Sequence, residues 1–180
     1  VSKKNLAVFI SGRGTNLEVI LQSKERFKSI FVVSSKARAY GLKRAENHGV
    51  PSLILDQPMD WQSLQNTLLK KGIELIFLAG FMKILPKSFI KNWEGRLFNL
   101  HPSLLPKYRG LNAIERAYKA QDDIGVSIHH VVPEVDAGQV VLQKVAVAKD
   151  QLPGMSLEQV TEAVHKLEHQ LVYRWLVDFT

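Results

Sequence analysis

Asn99 and His101 stand two residues apart at the end of the apolar run Leu97-Phe98, and Pro102 follows directly. On an extended strand that spacing projects both side chains from one face, so an amide and an imidazole can address the same small ligand. Pro102 lacks a backbone donor and fixes φ, which ends the strand and leaves the pair at its tip. In an α/β sheet, strand tips are where ligands bind. A carboxylate comes from Asp136, within Val135-Asp136-Ala137-Gly138, and Ser127 and His129 sit on a neighbouring run. Together these residues suit direct acyl transfer, in which an amide stabilises an oxyanion, an imidazole handles a proton and a carboxylate stabilises the imidazolium. No Gly-x-Ser-x-Gly elbow and no cysteine occurs, so covalent acyl-enzyme chemistry lacks an agent.

A second cluster lies near the start of the chain, in Ser11-Gly12-Arg13-Gly14-Thr15-Asn16-Leu17. Its glycines permit a tight turn and close approach of a ligand to the backbone, and free N–H groups at a helix start favour phosphate. Leu17 stands where the dinucleotide fingerprint has its third glycine, and Val33-Ser34-Ser35-Lys36 offers no acid to an NAD ribose. The turn suits one phosphate; a purely structural turn fits the same residues equally well. Further on, His165-Lys166-Leu167-Glu168-His169 matches the inverted zincin pattern. A catalytic zinc needs a third protein ligand, and Asp178 is the sole acid that follows. The reading is therefore no metal, with His165 and His169 on the surface and Glu168, beside a buried stripe, as an acceptor for hydroxyl groups.

The elements that must position these groups are legible as alternating runs. Short β-branched segments at residues 6–11, 30–34, 52–55, 75–79 and 97–100 alternate with amphipathic stretches at 15–23, 39–48 and 61–71, the signature of β-α-β units around a parallel sheet. Gly49 and Gly72 fall where C-terminal helix caps belong, and Pro86 opens a short helix. A helix at 112–120 leads to runs at 126–132 and 140–147, read as an antiparallel hairpin whose long loop holds Asp136. The last helix, 156–177, carries Leu157, Val160, Val164, Leu167 and Leu171 at helical spacing.

The chain of 180 residues fits one domain and has no cysteine, no secretory leader pattern and no apolar run near the length of a membrane span. These features predict a cytoplasmic protein with no membrane partner. Its formal charge of +7 favours anionic ligands, but the basic residues are scattered and form no aromatic-basic motif for nucleic acid.

The chain resembles the folate-dependent formyltransferases over nearly its whole length. The likeness rests on Ile10 to Leu17, on Leu78-Ala79-Gly80-Phe81-Met82-Lys83-Ile84-Leu85, on Asn99 to Tyr108, on Gly125-Val126-Ser127-Ile128-His129 and on Val135 to Gly138. It implies a three-layer Rossmann-like formyltransferase fold, mostly parallel, with an antiparallel C-terminal hairpin. The N-terminal half would bind phosphate, and the C-terminal half would bind folate and catalyse. The implied reaction passes formyl from 10-formyltetrahydrofolate to the amino group of glycinamide ribonucleotide in purine biosynthesis, with no metal and no NAD.

By the same resemblance, Asn99, His101 and Asp136 are catalytic, with His101 protonated and its pKa raised by Asp136. Gly14, Thr15 and Asn16 hold the substrate phosphate, and Glu168 its ribose. The folate lies against Met82, Lys83, Ile84, Leu85, Asn99, Val132, Pro133, Glu134, Val135 and Asp136. Gln62, Lys83 and Ala137 depart from residues common in relatives, which bears on cofactor affinity and loop mobility. A formyltetrahydrofolate hydrolase would share the catalytic trio. A methionyl-tRNA formyltransferase ranks lower because the chain, as read, ends after its last helix, and an NADP-binding protein leaves the trio unexplained. The partners expected are small molecules, with the protein a monomer or homodimer.

Overall fold

The central apolar runs are strands buried on both faces, the condition under which strands read as nearly continuous hydrophobic sequence. The structure is a computed structural model and describes residues 3–179. In chain order the elements are β1 (Asn5–Ile10), α1 (Thr15–Gln22), β2 (Ser29–Ser34), α2 (Tyr40–Asn47), β3 (Ser52–Ile54), α3 (Trp61–Lys70), β4 (Leu75–Leu78), α4 (Lys87–Asn92), β5 (Leu97–His101), α5 (Ala113–Lys119), β6 (Ile124–His130), β7 (Val140–Val147) and α6 (Leu157–Phe179). Every expected strand and helix is present, with ends displaced by no more than two residues. Gly49 and Gly72 follow α2 and α3 in the left-handed region, at φ 68° and 63°. Short 3-10 turns at Lys24–Arg26 and Lys149–Gln151 have no counterpart in the sequence reading.

The strands form one sheet in the order β3-β2-β1-β4-β5-β6-β7. β1 to β5 are parallel, while β6 runs antiparallel to β5 and β7 antiparallel to β6. Alternation along β1 divides the core into two layers. Leu6, Val8 and Ile10 face α1 and α6, while Ala7 and Phe9 face α3 and α4. On the first side Phe77 and Phe98 pack against Trp175 of α6, with ring centroids 4.6 and 5.2 Å apart. Among the described residues no helix is long and apolar enough to cross a membrane.

The direction of winding reverses between β1 and β4, which lie side by side. At such a switch point the loops leaving the C-terminal strand ends diverge and open a crevice. Here those loops are the turn after Ile10 and the segment that begins at Ala79, with Gly80 at φ 76°. The C-terminal end of β5, with Asn99 and His101, is next in the sheet.

One buried polar contact ties the second layer together: Trp93 Nε1 donates to Gln65 Oε1 at 2.6 Å, joining the end of α4 to α3. Both residues are buried, so removing the acceptor strands an indole N–H in the core. Gln65→Ala should destabilise the protein by ~1–3 kcal/mol in urea unfolding, whereas Gln65→Leu combined with Trp93→Phe should cost less because no donor is left unpaired.

Candidate active site

Antiparallel pairing of β5 with β6 sets Asn99 opposite His129 and His101 opposite Ser127. Directly paired residues share a face, so an amide, two imidazoles and a hydroxyl gather on one patch of sheet. Ser127 is spoken for: its hydroxyl donates to the carbonyl of Ser103 and receives the amide of Leu105, which pins the loop after β5. The other three remain for chemistry.

The β6–β7 loop brings Asp136 onto this patch. Oδ2 accepts the amide of Gly110 at 2.8 Å and lies 3.3 Å from His101 Nδ1; Oδ1 lies 3.3 Å from Asn99 Nδ2 and 3.4 Å from His129 Nε2. Burial pushes the Asp136 pKa up, but hydrogen bonding with His129, the bond from the Gly110 amide and the positive charge His101 carries once protonated outweigh it and hold it down to about 2. The carboxylate is thus charged throughout the neutral range. The stability it contributes is complete above the ordinary aspartate value and is lost only as pH falls toward about 2.

His101 is subject to two opposing influences on its charge. Its Nε2 lies 3.0 Å from the carbonyl of Tyr108, an acceptor, so Nε2 carries a proton and donates it there. Asp136 does push the imidazole pKa up, as the sequence reading held. Burial is nonetheless the larger effect, and the net shift is downward. His101 is therefore harder to protonate than a free imidazole, with Nδ1 facing Asp136. The carbonyl of Tyr108 and the amide of Gly110 were not foreseen, because neither backbone group has a sequence signature.

Asn99 is committed as well. Its Nδ2 lies 3.1 Å from His129 Nε2, while His129 Nδ1, 2.8 Å from the carbonyl of His130, donates to that oxygen. Both amide hydrogens of Asn99 point at internal acceptors, His129 and Asp136. A ligand oxygen can be received only by releasing one of them, and the 3.3 Å contact with Asp136 is the looser.

The first helix presents the other half of the site. Gly14 caps α1 in the left-handed conformation at φ 70°, and Thr15 and Asn16 begin it. Asn16 Nδ2 donates to Glu168 of α6 at 3.0 Å, so the turn and Glu168 meet although 152 residues separate them. Glu168 is buried, and its pKa is raised by that burial against the opposing bond from Asn16. Asn16 Oδ1 is buried with no hydrogen-bond partner.

Among the residues expected to face folate, Met82, Lys83 and Ile84 are exposed, Ile84 by 82%, and so are Pro133, Glu134 and Val135. Leu85 is different: its side chain is 6% exposed and belongs to the α3–α4 core layer, so only its backbone can meet a ligand. Val132 is half-buried. The hydroxyl of Ser11 joins the two loops of the crevice, accepting the amide of Met82 at 2.8 Å and bonding to the Ser35 hydroxyl at 2.6 Å. Gln62 bonds within α3 to Asn66. His165 is exposed, but His169 is half-buried rather than at the surface, and its Nε2 has no partner. Among the described residues no cluster of three His, Cys, Asp or Glu side chains could hold a metal ion.

Comparison with known proteins adds four findings. The formyl transferase family profile matches residues 4–176. Phosphoribosylglycinamide formyltransferase of Haemophilus influenzae is 39% identical over an alignment that covers 97% of this chain and 88% of that protein. The trifunctional purine biosynthetic protein adenosine-3 of Gallus gallus is 38% identical over 94% of the chain, which spans only 18% of that relative's length. Among solved structures, phosphoribosylglycinamide formyltransferase of Streptococcus pneumoniae TIGR4 superposes with a TM-score of 0.89 at 34% identity, over 99% of this chain and 100% of that one.

An NMR titration of the imidazoles tests the electrostatics directly. His101 should titrate below a free imidazole, and Asp136→Asn should move it lower still, since the carboxylate is an influence that pushes it up. A midpoint above the free value, or an upward move in Asp136→Asn, would contradict this account.

Proposed function

The chain belongs to the formyl transferase family, and from that membership and the cluster around Asp136 we propose that it transfers formyl from 10-formyltetrahydrofolate to the amino group of glycinamide ribonucleotide. The observation that carries this reading is the meeting of Asn99, His101 and Asp136 in one cluster at the C-terminal end of β5, in the same sheet whose β1 leads into the Gly14–Asn16 turn. Catalysis in this proposal is positioning and electrostatics, with no nicotinamide and no metal. The N-terminal half supplies the phosphate turn, and the C-terminal half the catalytic trio. A purine-pathway enzyme acting on such small substrates works in the cytoplasm.

The glycine amine attacks the formyl carbon, forming the new N–C bond while negative charge gathers on the formyl oxygen. Asn99 gives up its contact with Asp136 and donates to that oxygen. One proton must leave the attacking nitrogen. His101, neutral because it is buried, accepts it on Nδ1, where Asp136 stabilises the imidazolium at 3.3 Å. The bond from carbon to the folate nitrogen then breaks, and the proton passes to that nitrogen, directly or through an ordered water. The products are formylglycinamide ribonucleotide and tetrahydrofolate.

Gly14, Thr15 and Asn16 hold the substrate phosphate, and Glu168 accepts from the ribose hydroxyls beside them. The folate lies along Met82, Lys83 and Ile84, the backbone of Leu85, and the loop Val132, Pro133, Glu134, Val135. The contact between Asn16 and Glu168 favours a transferase over a formyltetrahydrofolate hydrolase, which has no use for a phosphoribosyl site.

Two assays check this. Release of deformylated folate should depend on added glycinamide ribonucleotide; release at the same rate without it would indicate the hydrolase. Asp136→Asn should lower kcat by ~10²-fold or more while folate still binds. His101→Ala should cost no less, and the double variant far less than the product of the singles, because the pair acts as a unit.

A further inference from the structure

A turn holds phosphate only if its peptide N–H groups, and not its carbonyls, face the anion. In a trans peptide the C=O and the N–H point in opposite directions, so anchoring a carbonyl on one side aims the next residue's N–H to the other. In the turn before α1 the two carbonyls that matter are both anchored by α2. Gly41 N–H donates to the carbonyl of Gly12 at 3.1 Å, and Arg44 Nε donates to the carbonyl of Arg13 at 3.0 Å. The N–H groups of Arg13 and Gly14 are thereby turned away from α2. They join the N–H groups that open α1, which lack partners within their own helix.

The approach of α2 that makes this possible is unusually close. A Cβ on Gly14 would stand 2.6 Å from the Cα of Gly41, and one on Gly41 would stand 2.5 Å from Ile10 Cδ1. Arg44 is itself held from other sides: Nη1 donates to Glu18 Oε2 of α1 at 3.1 Å, and the guanidinium lies over the Tyr40 ring, 5.1 Å from its centroid. Glu18 in turn meets His48 Nε2 at 2.9 Å. With its charge matched by Glu18, Arg44 contributes geometry more than attraction for an anion. A forked guanidinium can reach a carbonyl and a carboxylate together, which a single ammonium cannot do as well.

We propose that Arg44 is a positioning residue for the phosphate turn, which fixes the Arg13 carbonyl toward α2 so that the turn's N–H groups face the substrate phosphate. This deepens the functional reading above and rests on it. The partners of Arg44 are Arg13, Glu18 and Tyr40, none of them in the Asn99–His101–Asp136 cluster, so its effect is expected in the affinity that the phosphate contributes.

The experiment compares glycinamide ribonucleotide with its dephosphorylated counterpart, glycinamide riboside, by calorimetry on the full chain and on Arg44→Met and Arg44→Lys. Arg44→Met should weaken nucleotide binding by about tenfold or more, the worth of one charge-assisted hydrogen bond, and riboside binding by much less. Arg44→Lys should fall between. Equal losses for both ligands would mean general damage to the fold, and no loss would mean that the turn orients itself; either result overturns the proposal. If the unaltered protein fails to bind the nucleotide, the functional reading falls instead. Inorganic phosphate then serves as the probe: it should shift the amide signals of Gly14 and Thr15 in the native protein and not in Arg44→Met. Unshifted signals in the native protein, or equal shifts in both, would refute the role of Arg44.

Discussion

The half-buried carboxylate of Asp136 is the interaction on which the rest of the site depends. Its residue sits at φ 50°, a backbone conformation that costs a non-glycine residue on the order of 1 kcal/mol, and its burial adds a desolvation cost. Against these stand the Gly110 amide and the side chains of Asn99, His101 and His129, drawn from β5, β6 and the loop after β5. A charge held by two amide donors and two imidazole rings from three segments fixes those segments relative to one another. Removing the charge would leave the donors competing for fewer acceptors and the loop without a reason to fold back.

That same carboxylate works against the burial of His101. An imidazole so deeply placed resists protonation, and a carboxylate beside it reduces the resistance without abolishing it. In the proposed reaction that balance suits a base that takes up a proton and holds it for the length of a turnover. A permanently charged imidazole would be a better oxyanion partner but could not accept the proton released by an attacking amine. In the proposed reaction the oxyanion therefore falls chiefly to Asn99 and the proton to His101.

Much of this was legible in the sequence. The central strands follow from apolar runs buried on both faces, and the same-face placement of Asn99 and His101 follows from the two-residue period of a strand. The role of Glu168 as an acceptor had a signature in its position beside the buried stripe of α6, whereas its bond to Asn16 had none. What was not legible has a common physical origin, since burial is a property of the folded chain. The net shift of His101, the inward turn of Leu85 and the half-buried ring of His169 all depend on how much protein covers a side chain. Backbone partners such as the Tyr108 carbonyl are equally invisible, as is the approach of Gly41 and Arg44 to the phosphate turn, which requires two helices to meet.

The most direct test is a crystal structure with glycinamide ribonucleotide and a folate analogue that cannot release its formyl group. The account predicts the phosphate on the N–H groups of the Gly14–Asn16 turn, the ribose at Glu168, and the amine about 3–3.5 Å from the formyl carbon beside Asn99, His101 and Asp136. A folate bound away from the Met82–Ile84 wall, or an amine that enters the crevice with no access to His101, would contradict it.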